Sequence, residues 1–83
     1  MTRAEPRSGQ LYRHFKGTVY RILAVGHHSE TGEKMVVYYD VNEKVSDAGD
    51  PCIRPLAMFM SEVDSKKYPN IKQQFRFEEI KKC

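Results

Sequence analysis

The sequence of 83 residues has no tryptophan and only two cysteines. Without an indole, the bulk of any core must come from its five Tyr and four Phe. Cys52 and Cys83 show no partner spacing; a disulfide between them is possible on paper, but without a secretion signal free thiols are expected. Cys83, with no three residues after it, is not expected to be a prenylation box. No apolar run approaches the roughly 20 residues that span a bilayer. The opening MTRAEPRSGQ lacks the hydrophobic stretch of a secretion signal, so a cytoplasmic setting without membrane attachment is expected. Also missing are a Gly-rich phosphate loop, a nucleophile elbow and paired carboxylates in a plausible cleft. An enzyme is therefore not expected, nor a cofactor. There is no internal repeat and no low-complexity tract.

What is present describes one small globular domain. Apolar residues make up 40% and charged residues 30%. A chain of this size buries only about 60–65% of the surface its unfolded form exposes, so stability is modest. The net charge of +3 is unevenly spread. Residues 1–34 carry six Lys/Arg and three acids, residues 35–65 two and six, and residues 66–83 six and two. Basic ends flank an acidic middle, an arrangement that steers a polyanion if it is more than ordinary surface fluctuation.

The chain is organised around the stretch from Tyr12 to Tyr39, which reads as three strands joined by two turns. Residues 1–8, with Pro6 and no apolar periodicity, are expected to form a flexible arm ahead of a single domain over 9–83. The first strand runs from Gln10 to Phe15, and Lys16-Gly17 is taken as a two-residue turn. That register sets Phe15 opposite Thr18, His14 opposite Val19, Arg13 opposite Tyr20 and Leu11 opposite Ile22. Leu11, Phe15, Tyr20, Ile22 and Ala24 then share the core face, with Arg13 awkwardly among them. Tyr12, His14, Arg21 and Leu23 share the other face. A slip of one residue would exchange these sets.

Strand two continues to about Val25, and the turn over Ser29 to Gly32 leads to a β-branched and aromatic strand from Lys34 to Asp40. An acidic, turn-rich loop follows, closed by Asp50-Pro51. Cys52 to Arg54 form a short strand, and Pro55 suits the start of a helical turn over Leu56 to Met60. Leu56, Met58, Phe59 and Met60 are read as core, and Ser61 to Asn70 as linker. Phe75-Arg76-Phe77 alternates and is expected to add a last strand, with a helix over 71–82 as the competing reading. The expected architecture is mainly β, a small antiparallel barrel of about five short strands with one short helical turn. Closure would remove the exposed sheet edges.

Four separated blocks carry a resemblance: Gly9-x-x-Tyr12-x-His14-Phe15-Lys16-Gly17-x-x-Tyr20, His28-Ser29-Glu30-Thr31-x-Glu33, Val36-Val37-Tyr38, and Arg54-Pro55-Leu56-x-Met58-Phe59. In this order and spacing the chain resembles the bacterial family known as domain of unknown function 1653, from about Gly9 to Phe59, with Arg76-Phe77 similar to the family's ending. The resemblance implies an SH3-like small β-barrel and no particular activity. Cys52 departs from the family, which often has Trp at that position, two residues before the Arg-Pro pair.

The candidate ligand surface comprises Tyr12, His14, Lys16, His28, Glu30 and Arg54. Lys, His and Tyr together can bind an anion, a base or a peptide carboxylate. Arg54 is either a fixed anion receptor or a structural partner of Glu30 or Glu33. His27, His28 and Glu30 with His14 are a weak metal candidate, because adjacent histidines on a strand point to opposite faces. The alternative is that His28 and its neighbours hold the turn together. Tyr12, Tyr20, Tyr38 and Tyr39 offer stacking rings, at least two of which must be core. The leading expectation is a non-enzymatic module, monomeric or weakly dimeric, that recognises a protein or peptide partner. Weak single-stranded nucleic-acid binding is the second reading. A small metal-dependent enzyme or metal-binding protein is the third.

Overall fold

β-branched and aromatic residues are concentrated in a few short segments of the chain, and there the backbone makes its hydrogen bonds between strands. The computed structural model describes residues 4–42 and 50–80. In chain order it contains β1 (Leu11–His14), β2 (Val19–His27), β3 (Lys34–Asp40), β4 (Cys52–Pro55), a single helical turn α1 (Leu56–Phe59) and β5 (Phe77–Ile80). All pairings are antiparallel, and the sheet order is β4-β3-β2-β1-β5. The sheet is open, with β4 and β5 at its two edges. Closure into a barrel, expected from the strand count, is not seen among the described residues. The C-terminal segment supplies a strand, not a helix, and Phe77 stands opposite His14.

The β1–β2 register differs from expectation by one residue. Leu11 faces Arg21, Tyr12 faces Tyr20 and Arg13 faces Val19. The connection is three residues long, Phe15-Lys16-Gly17. His14 closes it through its N–H to the Thr18 carbonyl (2.8 Å), while the Gly17 N–H bonds the His14 carbonyl (2.8 Å). Gly17 sits at φ 106°, the left-handed conformation that a three-residue hairpin asks of its last loop residue. The slip exchanges the faces of β1. Tyr12 is buried (4% exposed), Arg13 is released to solvent, and Leu11 and Phe15 are only half-buried.

A bulge completes the correction. Between the pairs Ile22–Tyr38 and Ala24–Val37 the register of β2 shifts, so Leu23 and Ala24 together stand opposite Val37. Ile22 and Val25 then both face inward although they are three apart, and Ala24, expected in the core, is exposed. The core is Tyr12, Ile22, Val36, Tyr38, Phe59 and Phe77, with Tyr20, Val25, Leu56 and Met60 packed around it. Phe59, carried by α1, stacks face to face on Phe77 with centroids 4.1 Å apart. Met58, also expected inside, is 50% exposed on the far side of the same turn.

The segment expected as a loose arm is partly tied down. Pro6 is buried, and Glu5 pairs with Lys34 at 3.1 Å. The acidic loop after β3 falls mostly on residues 43–49, and Cys83 on the C-terminal tail; both lie outside the described residues.

Candidate functional site

Strand pairing gathers chemistry at the β1–β2 end of the core face. His14 (β1), Tyr20 (β2), Tyr38 (β3), Arg54 and Cys52 (β4) and Phe77 (β5) share that face through the registers His14–Phe77, Ile22–Tyr38, Tyr38–Cys52 and Val36–Arg54. Phe77 is the hub. His14 meets its ring edge-on at 4.9 Å, Tyr38 at 5.5 Å and Tyr20 at 5.8 Å, and the Arg54 guanidinium lies 5.5 Å from its centroid. The Arg54 Nε–H donates to the Tyr38 hydroxyl at 3.1 Å. Packing on a ring and a fixed hydrogen bond hold the guanidinium in one pose, and its two terminal nitrogens donate no hydrogen bond within the described residues. The salt bridge weighed for Arg54 with Glu30 or Glu33 is not formed.

His14 has a second task. Its Nδ1 accepts the Lys16 N–H at 3.1 Å, a side-chain-to-backbone bond across the turn. Nδ1 is thereby an acceptor, and the neutral ring carries its proton on Nε2. Burial lowers the pKa of His14 below its ordinary 6.5, and the nearby charges of Arg54, Lys16 and Arg76 push it the same way. The imidazole is thus held neutral among three cations. Lys16 reaches 5.9 Å from the Phe15 ring and 5.8 Å from the Tyr68 ring. Arg76 donates from Nε to the Ser61 hydroxyl at 3.1 Å. Tyr20 is raised in pKa, chiefly by burial and then by Cys52, Tyr38 and Asp40, so its hydroxyl keeps its proton.

Of the six residues singled out from sequence, the structure assembles His14, Lys16 and Arg54. Tyr12 is interior, edge-on to Phe59 at 5.2 Å. His28 and Glu30 belong to the β2–β3 turn at the opposite end of β2, a strand of nine residues spanning roughly 25–30 Å. There His28 Nδ1 accepts the N–H groups of Glu30 (3.1 Å) and Thr31 (3.3 Å), repeating the turn-closing role of His14. Gly32 sits at φ 77° in the same turn. Among the described residues, no group of three or more His, Cys, Asp or Glu stands where it could hold a metal ion. No helix there is long and apolar enough to cross a membrane. Arg76 and Phe77 were missed as site residues; their sequence signals were the alternation in Phe75-Arg76-Phe77 and the likeness of Arg76-Phe77 to the family's ending, and neither pointed to a site.

Tyr12 and Tyr38 are interior, and Tyr20 and Tyr39 lie on opposite faces of the sheet. The four tyrosines do not form one stacking platform.

Comparison with known families matches residues 10–79 to Protein of unknown function (DUF1653). No curated protein and no solved structure matches the chain.

Proposed function

The chain belongs to this family of proteins of unknown function, and from the chemistry of its core-face rim we propose that it is a small non-enzymatic binding module that recognises a protein or peptide partner. One observation carries the reading. A guanidinium is pinned between Tyr38 and Phe77, beside a neutral imidazole and two further cations, and no acid of the described chain pairs with it. Side chains ordered in advance lose little entropy on binding, which is how a small surface gains affinity. In this reading the sheet is an SH3-like barrel left open between β4 and β5 and the source is bacterial, as the resemblance implies, and the setting is the cytoplasm. Single-stranded nucleic acid is the weaker reading, because it needs several exposed rings on one face, and Tyr12, Tyr38 and Phe77 of the core face are buried.

A displayed peptide library selected against the wild-type chain and against Arg54→Ala tests the proposal. Peptides enriched by the wild type and lost by a variant that keeps its amide spectrum support it. Failure to enrich any sequence, or equal binding by the variant, overturns it.

A further inference from the structure

The partner's anchoring group can be deduced from what the site leaves unsatisfied. Arg54 uses Nε on Tyr38 and one face on Phe77, so the end of its fork bearing the two terminal nitrogens remains. That end matches a planar, two-oxygen anion. His14 uses Nδ1 on the Lys16 N–H, so Nε2–H remains as a donor. Lys16 and Arg76 add positive charge at the rim. The one ion pair among the described residues, Lys34–Glu5, lies far off beside the β2–β3 turn. Aromatic walls of Tyr20, Tyr38 and Phe77 lower the local dielectric and strengthen any charge pairing made there.

We propose that His14, Arg54, Lys16 and Arg76 form a receptor for a single carboxylate, presented by an Asp or Glu side chain or by the C-terminus of the partner peptide. The proposal rests on the binding-module reading and gives its site a ligand chemistry. A nucleic-acid backbone fits less well. Asp40 stands opposite Tyr20 on the same face, and Glu79 stands opposite Tyr12 in β5. A row of phosphates would meet these acids, whereas one carboxylate avoids them.

The test is an amide and side-chain NMR titration of the full chain with N-acetylglycine, with N-acetylglycinamide as the uncharged control. Saturable shifts at His14, Arg54 and Tyr38 with the acid alone are expected in the millimolar range. Arg54→Lys, which keeps the charge and loses the fork, should weaken binding about tenfold. His14→Asn, which keeps an acceptor for the Lys16 N–H, should weaken it severalfold with the fold intact. Capped peptides then separate the sources: an internal Glu with an amidated end against a free C-terminus without acids. Preference for either supports the receptor. Shifts that do not saturate, or that survive Arg54→Lys and His14→Asn unchanged, overturn it. So do shifts at these residues with oligothymidylate at concentrations where N-acetylglycine gives none. Library peptides that bind equally well without any carboxylate would remove the receptor and leave the binding module standing. Carboxylate binding without any peptide binding would do the reverse.

Discussion

Replacing Phe77 by Leu should damage fold and site together. Phe77 is 1% exposed and touches four rings: Phe59 at 4.1 Å, His14 at 4.9 Å, Tyr38 at 5.5 Å and Tyr20 at 5.8 Å. Leucine keeps much of the apolar area but none of the ring geometry. Aromatic pairs contribute about 0.5–1.5 kcal/mol each beyond area, and they overlap when they share one ring. Incomplete filling of the space adds about 0.5 kcal/mol, and the guanidinium contact with Arg54 about 0.5–1 kcal/mol. The sum is about 2–3 kcal/mol, out of a total stability of roughly 4–12 kcal/mol for a domain of this size. Phe77→Leu should therefore stay folded but melt at least ~10 °C lower by circular dichroism. Ile53→Ala, at 63% exposure, serves as control and should cost under about 1 kcal/mol. The His14 ring resonances should also shift, because their neighbour across the ladder is gone. If Phe77→Leu melts no lower than Ile53→Ala, the hub role assigned to this ring is wrong.

Two further outcomes follow from local geometry. Gly17→Ala should cost about 1–2 kcal/mol in urea unfolding, because φ 106° strains any Cβ although nothing lies within 4 Å of it. Gly26→Ala, which meets equally open space without a positive φ, should stay within about 0.5 kcal/mol; equal losses would remove backbone strain as the cause. For His14 the folded pKa lies below 6.5, so the unfolded chain takes up a proton that the folded chain refuses. Its contribution is fully present above pH 6.5 and is lost as pH falls below that value toward the folded pKa. His14→Asn should flatten this acid limb in a pH series of melting curves, and an unchanged limb would contradict the assignment.

Local composition made some of this legible and left the rest to packing. β3 was readable to its ends because Met-Val-Val-Tyr-Tyr favours an extended chain and Gly32 announces the preceding turn. The strand–helix junction was readable because Pro55 fixes φ where β4 stops and α1 begins. The β1–β2 register was not, because Gly17 serves equally well as the second residue of a short turn or the third of a longer one. Only the competition between Tyr12 and Arg13 for the interior decides it, and that competition involves Phe59, 47 residues away in sequence. The bulge at Leu23 has no local signal. In the site, His14, Lys16 and Arg54 stood out by residue type, but His28 and Glu30 were drawn in by the same criterion and belong to the far turn. Phe77, being plainly apolar, gave no sign that it would become the surface on which two polar side chains rest.

Register and function are thus one question in this fold. Arg54 is fixed on the core face through β3 and β2, so His14 joins it only if β1 pairs as observed. The two-residue turn would leave His14 on the opposite face and drive Arg13 inward. Burying an unpaired guanidinium costs several kcal/mol, which opposes the slip. Arg13→Leu removes that opposition, while in the native register it alters only an exposed position beside Glu78. The slipped hairpin would then offer Leu11, Leu at 13 and Phe15 to the core, a set that competes with Tyr12 and His14. Arg13→Leu should therefore show a second set of amide resonances over residues 10–22, and carboxylate binding should fall in proportion to its population. A single set, with Tyr12 still opposite Tyr20 in the nuclear Overhauser contacts, would mean that Tyr12 and the three-residue loop hold the register without help from the charge.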